Sequence, residues 1–152
     1  MNQTIRSTKP VIDAAKFVAA SRWTSELDAS SATHCAAEII STWQQRMLNC
    51  EPDRYGKNVP IGPGFNETID LVDYYEKVGY EMKLVGSTAD HEFYVALFKA
   101  ATFNQHHKAI KMQRLIFIAD TEVAGRLEKG LGDAAAELSR NWNIIVELAK
   151  LD

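Results

Sequence analysis

Along most of this chain apolar residues recur with a period close to that of a helix, and in a few places the pattern switches to alternation or to a short unbroken apolar run. From Val11 to about Trp23, Ile12, Ala15 and Ala19 share one side of a helix. The cap-rich segment DASSAT follows, with Ser30 or Ser31 as N-cap, and a second helix runs from about Ala32 to Leu48. On it Cys35, Ile39, Trp43 and Met47 recur every fourth residue, and Ala36 and Ile40 widen the stripe. Asn49 to Phe65 carries three of the four prolines and reads as loop, with Gly62-Pro63-Gly64 turning into the next strand. Thr68 to Leu84 reads as two strands joined by a tight turn at Glu76-Lys77. Asp90 to Asn104 returns to helical spacing, with Phe93, Leu97, Ala100 and Ala101 inward. Arg114 to Ala119 is a short apolar run, the mark of a buried strand. Thr121 to about Arg140 is helical through Val123, Leu127, Leu131, Ala135 and Leu138, weakened midway by Gly130 and Gly132. The closing segment alternates as a strand, with Trp142, Ile144, Val146 and Leu148 on one side.

This order predicts an α/β fold: a mixed central sheet flanked by helices on both faces. With 152 residues the chain is long enough for one domain with a proper core and too short to expect two. No apolar run approaches the roughly 20 residues of a bilayer-spanning helix, and the start MNQTIRSTKP lacks a signal-peptide core, so a cytoplasmic location is expected. Cys35 and Cys50 make no CxxC pattern, and Cys35 reads as a buried reduced thiol. A net charge of -3 argues against a generic basic nucleic-acid binder, yet acids that offset a bound cation leave an enzyme possible.

Candidate chemistry concentrates in the hairpin. Strand alternation puts Glu81 and Lys83 on one face. A turn at Glu76-Lys77 sets Asp70 opposite Lys83 and Val72 opposite Glu81, so the three polar groups share that face. Two carboxylates beside an ammonium suit a divalent cation and an activated water. Asp73 is a rival for Asp70, because a one-residue shift of the turn exchanges their faces.

Asp70, ten residues, then Glu81-Met82-Lys83 resembles the PD-(D/E)xK nuclease superfamily of restriction-endonuclease-like fold. The resemblance spans about residues 32–119: a helix carrying Glu38, the hairpin, the Asp90–Asn104 helix and the RLIFIA strand. The N-terminal helix and the C-terminal helix and strand are additions to that core. Ile69 stands where the family's name has Pro, and the literal Pro52-Asp53 lies too far from Glu81 to replace it. The resemblance implies a nuclease-like domain hydrolysing phosphodiesters with Mg²⁺, or Mn²⁺ in its place, as an endonuclease on DNA. Asp70 and Glu81 would hold the metal, Lys83 would orient or deprotonate the attacking water, and Glu38 would be an outer ligand or a second-metal ligand. Cutting both strands of a duplex would call for a homodimer. The alternative keeps the fold without the catalysis, as a binding or partner module of toxin, immunity or regulatory type.

The run NQHHKAIKMQR, with His106, His107, Lys108, Lys111 and Arg114, reads either as a phosphate contact or as a solvated basic loop. Lys99, on the helix after the hairpin, reads as surface charge, the alternative implied by the resemblance being a basic residue turned toward the cleft. Trp23, Trp43 and Trp142 fall on apolar stripes and read as core.

Overall fold

The computed structural model describes residues 3–22, 29–84, 89–130 and 132–151. Two helices, α1 (Gln3–Arg22) and α2 (Ala29–Cys50), precede a meander of β1 (Tyr55–Pro60), β2 (Thr68–Asp73) and β3 (Val78–Lys83). Then come α3 (Ala89–His106), β4 (Arg114–Ala119), α4 (Thr121–Gly130), α5 (Gly132–Trp142) and β5 (Ile145–Lys150). The five strands lie side by side in chain order. The first three are antiparallel, and β3, β4 and β5 run parallel. The protein is thus α/β with a mixed sheet flanked by helices.

Two successive parallel crossovers advance in the same direction across the sheet. Their common right hand obliges α3 and the α4–α5 pair to cover the same face. Phe93, Leu97, Ala100 and Phe103 of α3 pack there with Val123, Leu127 and Leu138 over Leu115 and Phe117. The opposite face is left to α1 and α2, which bury Val11, Ala15, Ile39, Trp43 and Met47 against Leu71, Tyr80, Ile116 and Ile118. Trp43 donates its indole N–H to the Val11 carbonyl at 3.1 Å, which ties the two helices together. Strand β4 is buried along its whole length because both faces are covered. Among the described residues no helix is long and apolar enough to cross a membrane.

The elements depart from the sequence reading at definite points. Strand β1 lies in what reads as loop: it is a sheet edge with only Tyr55 and Val59 buried, so it carries little apolar signal. The helix after β4 is two helices that part at Gly130 and Gly132. Trp142 ends α5 instead of opening β5 and is 45% exposed, so of the tryptophans read as core Trp43 is buried and Trp142 is not. Trp23 lies outside the described residues. Cys35 is half-buried instead of buried, Cys50 is exposed, and neither is in a disulfide.

The basic segment before β4 is anchored by Asn104, whose buried side chain accepts from the Met112 amide at 2.6 Å and donates to the Met112 carbonyl at 2.7 Å. Removing it strands a buried donor and acceptor together. Asn104→Ala is therefore expected to destabilise the fold by about 2 kcal/mol, measured by urea unfolding.

Candidate active site

The hairpin register decides which acid faces which. Leu71 pairs with Tyr80, Val72 with Gly79 and Asp73 with Val78. The turn thus spans Tyr74 to Lys77, wider than a tight turn at Glu76-Lys77. Asp73 is the cause. Its carboxylate accepts from the amides of Tyr75 at 3.0 Å and Glu76 at 3.1 Å, opening the turn early, and Lys77 closes it in the left-handed region at φ 58°. The register moves by two residues, so the faces are kept but Asp70 comes across from Glu81 instead of Lys83. Asp73 itself is fully buried and clasped by Arg54 through both carboxylate oxygens, at 2.9–3.1 Å. Between the rival aspartates, Asp73 is committed to the turn.

Beyond the Leu71–Tyr80 pair, the Asp70 carboxylate takes the Met82 amide at 2.9 Å. This bond turns Asp70 towards β3. Its main chain is held from below by Gln44 of α2, which donates to the Asp70 carbonyl at 2.7 Å and to the Asn58 side chain at 3.0 Å. Glu38 stands six residues before Gln44, about 120° away around the helix. It is exposed and lies 3.2 Å from His34. The residue that α2 sends to Asp70 is Gln44.

Glu81 occupies a central strand covered on both faces and is itself buried. A carboxylate there is costly unless paired or ligating. Its partner is Lys99 of α3, with Nζ 2.7 Å from Oε1 and only 13% of the lysine side chain exposed. Lys99 is therefore no surface charge. Lys83 turns away to Glu92, at 3.6 Å. Asp70, Glu81 and Lys99 come together, whereas Lys83 and Glu38 are paired elsewhere. A helical cue marks Lys99: it stands three residues after Ala96 and four before Phe103, both buried. Nothing in the local pattern distinguishes Gln44 from an ordinary helix amide.

One ammonium against two carboxylates leaves surplus negative charge in a buried place. Burial, then the charge and hydrogen bonding of Asp70, hold the Glu81 carboxyl well above the usual carboxylate range, and Lys99 only partly offsets them. Burial opposes the Lys99 ammonium too, but Glu81, with Asp70 and Glu67 behind it, outweighs this and raises its pKa. Among the described residues no three His, Cys, Asp or Glu side chains gather as a metal cage. The donor set fits Mg²⁺ nonetheless, since that ion commonly takes one or two carboxylates and completes its shell with water and substrate phosphate oxygens. No family model, curated protein or solved structure matches the chain.

The raised Glu81 has a signed consequence for stability. Between the ordinary carboxylate range and its raised value, the folded chain binds a proton that the unfolded chain has lost. Glu81's contribution is therefore most favourable at acid pH and declines as pH rises through that window. Asp70→Asn removes the repulsion while keeping an oxygen for the Met82 amide. It should raise the melting midpoint of metal-free protein by about 2–4 °C at neutral pH, equivalent to about 1 kcal/mol, and by less at pH near 5. Thermal melts at the two pH values measure this.

Proposed function

We propose that this chain is a divalent-metal-dependent phosphodiesterase of restriction-endonuclease-like fold, hydrolysing DNA as an endonuclease. The observation that carries the reading is the convergence of the half-buried Asp70 and the buried Glu81 at the point where β2 and β3 pass, with a lysine at hydrogen-bonding distance. Such a cluster costs folding energy and is explained by chemistry that needs it. The element order supports the same reading: a helix, an antiparallel meander, a helix, then a strand parallel to the third.

Asp70 and Glu81 would hold Mg²⁺ or Mn²⁺, which supplies charge neutralisation at the phosphate and a more acidic water. The Met82 amide fixes the direction of the Asp70 carboxylate, and Gln44 fixes the strand beneath it. Lys99, which pairs with Glu81 at 2.7 Å, would keep an ammonium at the site with a cation held there. It can orient the attacking water or meet charge developing on the phosphate. Lys83, implied by the resemblance for that task, would have to leave Glu92 to perform it.

The test is cleavage of supercoiled plasmid and single-stranded DNA with Mg²⁺ or Mn²⁺, comparing wild type with Asp70→Asn and with chelator. Cleavage lost in both supports the reading, and cleavage that persists in Asp70→Asn overturns it. Folded wild type that neither cuts nor binds Mn²⁺ by calorimetry would instead establish the inactive partner module, with the Lys99–Glu81 pair a permanent plug.

A further inference from the structure

The loop between β1 and β2 carries an aromatic ring to α3, against the residue that precedes Lys99. Its tip is closed by two main-chain bonds, Phe65 N–H to the Gly62 carbonyl and Ile61 N–H to the Glu67 carbonyl, both 3.3 Å, with Gly64 at φ 81°. Phe65 meets Phe98 of α3 edge-on, the ring centres 6.3 Å apart, and packs on His106 at 5.8 Å. The two phenyl rings remain 40% and 53% exposed. An edge contact uses at most one face of one ring, so aromatic face is left open to solvent. The position is set from both sides: Phe98 directly precedes Lys99, and the charge of Glu67 reaches Lys99 from the loop.

We propose that Phe65 and Phe98 form a stacking shelf for unpaired bases, so that this site takes single-stranded or locally opened DNA in preference to duplex. The inference rests on the phosphodiesterase reading for what happens to the strand, but not for its binding. A ring face gains from a base whose own face is free, and in a duplex those faces are already stacked. The main-chain bonds and His106 hold the loop tip in place, which lowers the cost of ordering it around a flexible strand. Charge complementarity points the same way. Beyond His106, the exposed Lys108 and Lys111 border a hollow of about 440 Å³ that also takes in the exposed ring of Trp142. Ammonium groups there meet a phosphate backbone that leaves the shelf along the end of α3. Arg114, from the same basic run, is engaged with Glu147 at 2.7 Å.

The experiment measures binding of a fluorescein-labelled oligothymidine, and of a hairpin duplex of about the same length, with Ca²⁺ in place of Mg²⁺. Wild type should bind oligothymidine more tightly than duplex. Phe65→Ala with Phe98→Ala should weaken oligothymidine binding about tenfold or more and leave duplex binding unchanged, while Phe65→Tyr with Phe98→Tyr retains it. Absence of a single-strand preference in wild type, an unchanged affinity in the alanine pair, or equal loss on both probes would overturn the shelf. Oligothymidine binding that needs the rings, in a protein that cuts nothing, would uphold the shelf and sink the phosphodiesterase. Asp70-dependent cleavage of duplex with no role for the rings would do the reverse. Thermal melts confirm that each variant is folded.

Discussion

Lys99→Ala is expected to lower metal-dependent DNA cleavage by about 10²–10⁴-fold while tightening Mn²⁺ binding. The opposite signs follow from the site. In the resting protein the Lys99 ammonium competes with any cation for Glu81, since its Nζ lies 2.7 Å from Oε1. Without it, Asp70 and Glu81 face each other with less compensation, and a divalent ion gains what the lysine gave up. In the proposed reaction the same ammonium would orient water or meet phosphate charge, and alanine offers neither. A purely structural lysine would weaken both binding and turnover when removed. Lys83→Ala should cost less, because its ammonium is spent on Glu92 at the rim. Single-turnover cleavage set beside Mn²⁺ calorimetry separates the cases, and a larger loss in Lys83→Ala would return the role to Lys83.

The largest loss of stability is expected at Arg54. Its guanidinium meets both oxygens of the fully buried Asp73 and also reaches Glu51 at 3.2 Å. The Asp73 hydrogen bond, partly opposed by burial, raises the Arg54 pKa further above its already high value, so the guanidinium stays charged throughout ordinary pH. Arg54→Ala leaves a buried carboxylate with only two amide donors. The cost should be about 3 kcal/mol, near the lower end for breaking a buried pair, because Arg54 keeps a solvent-facing edge. Urea unfolding measures it. Asp73→Asn on the Arg54→Ala background should recover part of the loss, since an amide in place of the stranded charge keeps an acceptor for the turn.

What the sequence made legible follows from how each signal is written. The apolar run of β4 and the repeat of Ile39, Trp43 and Met47 announce buried elements because burial selects residue type directly. Asp70 and Glu81 stand out for the opposite reason, as acids placed within apolar strands. The register did not show, because it was fixed by the Asp73 side chain bonding to amides two and three residues on, and such a bond leaves only an aspartate before a polar turn. Lys99 reads as surface charge first because Tyr94 and Phe98 make α3 apolar on its exposed side too, which blurs its inward face. Glu38 carried the expected charge on the expected helix, while the contact with Asp70 came from the neutral Gln44.

The order in which the site's parts lie along the chain bears on how the protein reaches its fold. Asp70 and Glu81 belong to one local hairpin, whereas Lys99 comes only with α3, which must close across β3. Local strand pairing forms ahead of longer-range packing, so the two acids meet before their counter-ion arrives. Folding from denaturant should accordingly quicken on mild acidification, as Glu81 takes up its proton, whereas Lys99→Ala, which removes a contact formed later, should mainly speed unfolding. The cluster assigned to catalysis would in this way also set the pace of assembly.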